Sequence, residues 1–254
     1  MSEYAPPLDD MKFTLKEVVD VDSLESFPSF SDVGLDSLDD LLEEAGRFFS
    51  QVISPTNRVG DLQGSSLNPD GSVTTPDGFI EAYSQYVEAG WGAISFDPEY
   101  GGGGFPWLVG IAVTEMLTAA NMALSLNPML TQGSIHALSA HGDASQKVKW
   151  LPKLITGEWA GTMNLTEPQA GSDVGALTSK AVPQEDGSYL ITGQKIYITW
   201  GEHDLTDNII HLVLARTPDA PPGTKGISLF IVPKYLLNGD GTIGEPNDVK
   251  CISL

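Results

Sequence analysis

Apolar residues recur every three to four positions through most of the first 157 residues, which is the period of helices that bury one face. Five stretches show this pattern: 39–52, 79–90, 106–122, 130–142 and 143–157. Pro55 predicts the end of the first stretch, and Pro106 suits the first turn of the third. Gly142 and Gly157 predict the ends of the last two. This part of the chain is therefore predicted to be helical.

After Trp159 the pattern changes to short β-rich runs separated by Gly, Pro and Asp. The segments predicted as strands are GTMNLTEP, DGSYLITGQKIYITWG, NIIHLVLAR, GISLFIVP and NDVKCISL. The second is expected to form two strands joined by a tight Thr-Gly turn. Helices followed by an antiparallel β region predict an α+β fold rather than an alternating parallel one.

The segment QKIYITWGEHD carries the first candidate chemistry. If it is a strand, side chains alternate, so that Tyr197 and Thr199 share one face while Ile196, Ile198 and Trp200 share the other. An aromatic ring beside a hydroxyl suits a flat ligand with a polar edge. A solvent-facing stripe explains the same pattern equally well.

The stretch LTEPQAGSDVGAL, which begins at Leu165, combines small residues with many hydrogen-bonding groups. Thr166 is expected to end a strand, and Gly171 and Ser172 leave backbone N–H groups unobstructed. Such groups can bind an anion or a carbonyl oxygen. Alternatively, Ser172 or Asp173 caps a short helical turn, which needs no ligand. The residues alone leave both interpretations open.

The charge of the chain argues against nucleic acid as a partner. The formal net charge is −21, and 13 of the 34 acidic residues lie in the first 44 positions. Phosphate binding needs a basic face, which this composition does not provide. The acidic N-terminal segment is interpreted as a solvated face.

A single cysteine, Cys251, excludes an internal disulfide framework and a thiolate metal cluster. The start of the chain shows no signal-peptide pattern, so a reducing, cytoplasmic location is expected. The longest apolar stretch, 107–126, includes Thr114 and Glu115, and it predicts a buried helix rather than a membrane span.

The segment YGGGGFP lacks the Lys-Ser/Thr of a phosphate-binding loop and the spacing of a dinucleotide motif. It predicts a flexible turn before a proline-started helix, with a loop that closes over a ligand as the alternative. The four histidines have no metal-ligand spacing, and they are expected to be structural or on the surface: His136, His141, His203 and His211. No metal site and no nucleophilic triad are predicted.

Two longer segments resemble the paired signature of the acyl-CoA dehydrogenase family. They are MNLTEPQAGSDVGALTSKA and, after a short hairpin, ITGQKIYITWGEHD. The preceding HGDASQKVKWLPKLITGEWAGTMNLTEP is similar to the helix that leads into that signature, and the match covers roughly Ser50 to the end. The start, EYAPPLDDMKFTLKEVV, resembles longer members such as the 3-methylmercaptopropionyl-CoA dehydrogenases.

The resemblance implies an N-terminal helical domain, a middle β-barrel and a C-terminal four-helix domain, with FAD between the last two, usually within a homodimer or tetramer. On this basis residues 1–36 are an extension, 37–159 the helical domain and 160–254 a middle β domain that is incomplete at its C-terminal end. The C-terminal helical domain is expected to be absent. The glutamate that removes the substrate α-proton would be absent with it, so no catalytic residue is assigned in this chain.

The resemblance also implies cofactor contacts in the first segment. Met163, Leu165 and Thr166 would touch the flavin, and the Thr166 hydroxyl would serve the ring edge that gains negative charge on reduction. Gly171 and Ser172 would lie where the flavin and the thioester meet, and Ser172 would also reach the CoA moiety.

In the second segment, Tyr197 occupies the aromatic stacking position, which is often Trp in the family, and Thr199 would hydrogen-bond near flavin N5. One departure from the motif concerns Gln169, which stands where the family has a glycine. The substitution is tolerable if the φ angle of Gln169 is negative.

The reaction implied is FAD-dependent α,β-dehydrogenation of an acyl-CoA thioester, with an electron-transfer flavoprotein as acceptor. A base removes the α-proton while hydride passes from the β-carbon to the flavin. Two alternatives remain: a non-catalytic subunit of a split dehydrogenase, and a flavoprotein of the alkylation-response type that associates with DNA.

Overall fold

A computed structural model describes residues 4–254 as a group of packed helices followed by small sheets, which confirms the α+β class. The α-helices are α1 (Leu8–Phe13), α2 (Leu38–Phe48), α3 (Ser54–Gln63), α4 (Phe79–Glu88), α5 (Trp107–Ala120), α6 (Met122–His141) and α7 (Ala144–Thr156). Within residues 4–254, none of these helices is long and apolar enough to cross a membrane.

The main hydrophobic core joins α2, α4 and α5. Leu42 of α2, Phe49 just after it and Met116 of α5 are fully buried. The Phe49 ring lies 6.5 Å from that of Tyr86 on α4. Burial of side chains of this size contributes about 1.5–3 kcal/mol each. The apolar stripe on α2 therefore holds the helices together.

The acidic N-terminal segment packs on this core. Met11, Leu15 and Val21 are buried in it. The Lys16 ammonium lies 2.8 Å from the Asp39 carboxylate on α2. The segment therefore presents a charged outer surface while its apolar residues extend the helical core.

The predicted helix end at Pro55 is wrong. A π-helical turn, Phe49–Ile53, continues α2 directly into α3, where Pro55 lies in the first turn. A proline lacks the N–H that a continuous helix would use, and the wider π-helical turn directly before it, in which the Ser54 N–H donates to the Phe49 carbonyl, accommodates the proline. The helical stretch therefore bends its hydrogen-bond pattern at Pro55 and does not stop there.

The boundary between α5 and α6 also differs from the prediction. Asn121 interrupts the helix after Ala120, and its side chain accepts a hydrogen bond from the Leu124 N–H at 3.0 Å. That cap starts α6 at Met122, eight residues before the predicted start, and α6 runs through Pro128. Both Leu124 and Pro128 are buried, so packing outweighs the hydrogen bond that proline cannot make.

The glycine-rich turn before α5 is packed against the protein. Gly103 donates to the Ala93 carbonyl and Gly104 to the Phe96 carbonyl, each at 2.9 Å. A Cβ on Gly102 would lie 2.0 Å from the Phe96 oxygen, so only glycine fits. The predicted turn is confirmed, and close backbone contact explains its glycines.

The strands are β1 (Ser66–Leu67), β2 (Val73–Thr74), β3 (Trp159–Asn164), β4 (Lys180–Pro183), β5 (Tyr189–Thr192), β6 (Asn208–Ala215), β7 (Ser228–Pro233), β8 (Tyr235–Leu237) and β9 (Ile243–Pro246). The three-stranded sheet has the order β3-β6-β7, and the other strands pair as hairpins. These sheets do not close into a barrel.

The prediction of an antiparallel β region is wrong for one pair of strands. Strands β3 and β6 are parallel, with Thr162 opposite His211, whereas β6 and β7 are antiparallel. The long connection that contains β4 and β5 allows β6 to return in the direction of β3, as parallel pairing requires.

Two predicted strands do not form. Residues 193–200 make no strand, because the Ile196 N–H donates to the Thr166 carbonyl at 2.9 Å instead of extending the ladder of β5. Residues 247–254 are also without strand structure. The β8–β9 and β1–β2 hairpins were not predicted, because their strands are only two to four residues long.

Candidate functional site

The first motif begins on β3, which lies directly against α6. The Gly161 N–H donates to the Thr131 hydroxyl at 2.9 Å. A Cβ on Gly161 would lie 2.6 Å from the side chain of Ser134. The strand therefore packs on the helix at a distance that only glycine permits. Met163, the next-to-last residue of β3, remains partly exposed.

Beyond β3, Glu167 is the centre of a buried hydrogen-bond cluster. Its side chain is 2% exposed and lies 2.8 Å from the Lys195 ammonium, which is itself 9% exposed. The carboxylate also accepts from the backbone N–H groups of Thr178 (2.7 Å) and Ser179 (3.1 Å). The Gln169 amide adds a further bond of 2.7 Å. All of these donors favour the ionised carboxylate.

The protonation state of Glu167 follows from this environment. Burial alone would raise its pKa, but the hydrogen bonds from Lys195, Ser179 and Thr178 outweigh burial and hold the pKa well below its usual range. Glu167 is therefore ionised and fully engaged. A carboxylate with a strongly lowered pKa is a weak proton acceptor, so Glu167 has a structural role.

The Glu167 cluster joins the two motif segments. The Lys195 ammonium also donates to the Leu165 carbonyl at 3.1 Å. Next to it, the Ile196 N–H donates to the Thr166 carbonyl at 2.9 Å. These bonds bring Thr166 next to Ile196, the residue before Tyr197, although Thr166 and Tyr197 are 31 positions apart in the sequence. The side chains of Leu165 and Thr166 are half-buried.

The Gly-Ser-Asp turn is exposed. Asp173 is the N-cap residue of a short 3₁₀ turn, Val174–Ala176, but its side chain makes no capping hydrogen bond. A Cβ on Gly171 would meet no atom within 4 Å among the described residues. The packing of this chain therefore does not require a glycine there, and the backbone beside Ser172 is open to an approaching group.

Gln169 fits its turn without strain. It is not among the residues between 4 and 254 that have a positive φ angle. Its amide bridges the Glu167 carboxylate and the Thr178 hydroxyl, at 2.7 and 2.9 Å. The departure from the family motif is therefore accommodated, and the side chain that replaces glycine supports the buried carboxylate.

Tyr197 and Thr199 lie in a loop instead of the predicted strand. The φ angles of Tyr197 and Trp200 are 58° and 53°, in the left-handed region that aromatic residues rarely adopt. Even so, Tyr197 and Thr199 are exposed while Ile198 and Trp200 are partly buried. Tyr197 is 89% exposed, which is unusual for so large a ring.

Two of the four histidines are buried among polar partners, as expected for structural roles. The His211 Nδ1 lies 2.7 Å from the Thr162 hydroxyl, across the β3–β6 pair. The His203 Nε2 lies 3.1 Å from the Asn127 amide of α6. Burial, with a smaller contribution from Lys234, lowers the pKa of His203 to about 3 and that of His211 to about 4. Both are uncharged at neutral pH.

The comparisons with known proteins agree with this arrangement. Residues 37–158 match the acyl-CoA dehydrogenase N-terminal domain, and residues 162–246 match the acyl-CoA dehydrogenase middle domain. The 3-methylmercaptopropionyl-CoA dehydrogenase of Ruegeria pomeroyi is 48% identical over 251 residues, which is 99% of this chain and 42% of that protein.

Solved structures share the fold. Butyryl-CoA dehydrogenase from Megasphaera elsdenii superposes with a TM-score of 0.62 at 26% identity, over 79% of this chain and 48% of its own. A structure described as PigA with FAD and proline gives a TM-score of 0.61 at 26% identity, over 78% of this chain and 48% of its own.

The fold combines a helical domain with a β domain, and hydrogen bonds join the two motif segments. The chain belongs to the acyl-CoA dehydrogenase family, of which it carries the N-terminal and middle domains. It spans less than half the length of the relatives described above.

Proposed function

We propose that this chain supplies the helical domain and one side of the flavin site of an FAD-dependent acyl-CoA dehydrogenase. Its domains are residues 37–159 and 160–254, preceded by an extension at 1–36. The substrate is an acyl-CoA thioester, the acceptor an electron-transfer flavoprotein, and the assembly a cytoplasmic homo-oligomer. Membership of the acyl-CoA dehydrogenase family supports the division into domains and the class of substrate.

The observation that carries the proposal is the junction between the two motif segments. The Ile196 N–H donates to the Thr166 carbonyl, so the half-buried Thr166 lies beside the residue that precedes the exposed Tyr197. Thr199, two residues beyond Tyr197, is exposed and carries a second hydroxyl. A stacking surface with polar groups near its edge fits the isoalloxazine ring of a flavin.

The residues of this chain bind and orient. Bound FAD would supply the acceptor for hydride from the substrate β-carbon. The Tyr197 ring would stack on the flavin, and the Thr166 and Thr199 hydroxyls would bond to its edge. Met163 and Leu165 would contact its apolar part.

The open backbone at Gly171 and the Ser172 hydroxyl would face the thioester side, where donated hydrogen bonds stabilise developing negative charge. Ser172 would also contact the CoA moiety. Glu167 is committed to Lys195 and cannot serve as the base. We propose, as the resemblance to the family implies, that the base that removes the α-proton lies outside these 254 residues.

The proposal is tested by titrating the purified chain with FAD and following flavin fluorescence. Tyr197→Leu should weaken binding about 2- to 12-fold, because an aromatic stack contributes about 0.5–1.5 kcal/mol. Tyr189→Leu on β5 is the matched control, since it removes another exposed tyrosine, and it should leave binding unchanged. Failure of the unsubstituted chain to bind FAD, or equal effects of the two substitutions, would refute the proposal.

A further inference from the structure

The loop that carries Tyr197 and Thr199 holds an unfavourable backbone conformation. Tyr197 and Trp200 are two of only four non-glycine residues between 4 and 254 with a positive φ angle. The N–H of Gly201, directly after Trp200, donates to the Ile198 carbonyl at 3.0 Å and closes a tight turn. Such a conformation persists only where surrounding contacts hold it.

On its N-terminal side, the loop is held by the bonds of Lys195 and Ile196 to the first motif segment. On its C-terminal side, the loop is held by Trp200. The indole N–H of Trp200 donates to the Ala123 carbonyl of α6 at 2.9 Å. Its ring stacks on Phe79 of α4, with centroids 6.4 Å apart and planes 25° from parallel. Trp200 therefore ties the loop to two helices.

The residues after Trp200 strengthen this attachment. The Leu205 N–H donates to the His203 Nδ1 at 3.1 Å, so the hydrogen of the neutral ring is on Nε2. That N–H faces the side-chain amide of Asn127 at 3.1 Å. With the amide turned so that its oxygen faces the ring, Oδ1 accepts a hydrogen bond from Nε2. The His203 ring also packs edge-on against Trp200, with centroids 5.5 Å apart.

A second long-range bond holds the end of the loop. The Asp204 carboxylate accepts from the Thr75 hydroxyl at 2.6 Å and from its backbone N–H at 3.3 Å. Thr75 precedes α4, the helix that also carries Phe79. Loop residues 200, 203 and 204 are therefore all attached to the helical domain, whereas residues 195 and 196 are attached to the motif after β3.

We propose that Trp200 is a positioning residue for the flavin site, which orients the Tyr197 ring and the Thr199 hydroxyl by fixing their loop to α4 and α6. The inference rests on the proposed function. Trp200 does not itself need to touch the cofactor. With the loop ends attached to two different parts of the protein, the intervening residues 197–199 are left with one conformation. Loss of the Trp200 contacts should allow residues 197–199 to adopt other conformations, so that the exposed Tyr197 ring is no longer held in one orientation.

The first test needs no cofactor. Trypsin cleaves after Lys195 only when the loop leaves its buried ion pair, whereas Lys225 is exposed and serves as an internal reference. Trp200→Leu should raise the rate of cleavage after Lys195 relative to Lys225 by about tenfold or more. Trp200→Phe, which keeps a ring against Phe79 but loses one hydrogen bond, should raise it about 2- to 12-fold.

Trp107→Leu is the matched control, because it removes a partly exposed tryptophan that contacts His136 rather than this loop. It should leave the cleavage ratio unchanged. Circular dichroism of each variant distinguishes loop release from global unfolding. If Trp200→Leu gives the same ratio as the control, Trp200 does not fix the loop and the inference is overturned.

The second test uses FAD affinity and asks whether Trp200 acts through Tyr197. Trp200→Leu and Tyr197→Leu should each weaken FAD binding. If Trp200 acts through Tyr197, the double variant should bind FAD about as tightly as the weaker-binding of the two single variants. Fully additive losses, or unchanged affinity in Trp200→Leu, would overturn the inference and leave the proposed function intact. Absence of FAD binding in the unsubstituted chain would overturn the proposed function, and the flavin role of Trp200 with it.

Discussion

Replacing Glu167 by Gln should destabilise the fold strongly, although the change is nearly isosteric. The carboxylate accepts charge-assisted or backbone hydrogen bonds from Lys195, Thr178, Ser179 and Gln169 at 2.7–3.1 Å. An amide presents its own N–H₂ group to some of these donors and leaves the Lys195 ammonium buried without a counter-charge. Breaking a buried ion pair in this way costs about 3–5 kcal/mol.

The assay is urea unfolding followed by circular dichroism, with Glu185→Gln as the matched control. Glu185 is exposed near the tip of the β4–β5 hairpin, and its substitution should change the unfolding free energy by less than about 0.5 kcal/mol. Lys195→Met tests the other partner. The double variant should lose less than the sum of the two single losses. A loss below about 1 kcal/mol in Glu167→Gln would refute the structural role assigned to this carboxylate.

The same carboxylate should make stability depend on pH. The ordinary pKa of a glutamate is 4.5, and in the folded chain that of Glu167 is lowered. The folded state therefore binds this proton less readily than the unfolded state, and the stabilisation is complete above about pH 5 and decreases as the pH falls further. The difference in unfolding free energy between the unsubstituted chain and Glu167→Gln should narrow from pH 5 towards pH 2. A constant difference over that range would contradict the assigned pKa direction.

Three further substitutions test the packing by thermal or urea unfolding. Gly102→Ala should cost more than about 2 kcal/mol, since its Cβ would lie 2.0 Å from a carbonyl oxygen. Gly133 lies in α6 with open space around it, so Gly133→Ala should instead stabilise the fold by about 0.5–1 kcal/mol. Equal effects of the two glycine substitutions would contradict the packing described for Gly102. Asn121→Ala should cost about 2 kcal/mol, because it removes the α6 cap on Leu124 and the 2.9 Å bond to Thr56; an unchanged midpoint would show that the cap is dispensable.

Local sequence determined the elements whose signals lie within a few residues. Helix α7 ends at Gly157, whose φ angle of 83° suits the left-handed conformation that follows a helix. At the tip of the β4–β5 hairpin, the Asp186 carboxylate accepts from the Ser188 N–H at 2.9 Å and Gly187 has a φ angle of 84°. These turns need no distant partner, so the residues alone predict them.

The sequence indicated which residues belong to the candidate site, but not how they are arranged in space. Resemblance to the family indicated Thr166 and Tyr197, but only the folded chain joined them through Ile196. The hydrophobic pattern predicted a strand through Tyr197, but β5 ends at Thr192. Instead, Lys195 turns inward to Glu167, and the backbone follows it out of the sheet.

Tertiary structure decided the features that depend on residues far apart in sequence. Parallel pairing of β3 with β6 depends on the long connection between them, which leaves no local signal in either strand. The contacts of Trp200 with Ala123 and Phe79 reach back about 77 and 121 positions in the chain. Apolar periodicity reports which side chains are buried but not which partner buries them, because the hydrophobic effect has no direction. Hydrogen bonds do have direction, and here they supply the pairing that the sequence pattern leaves open.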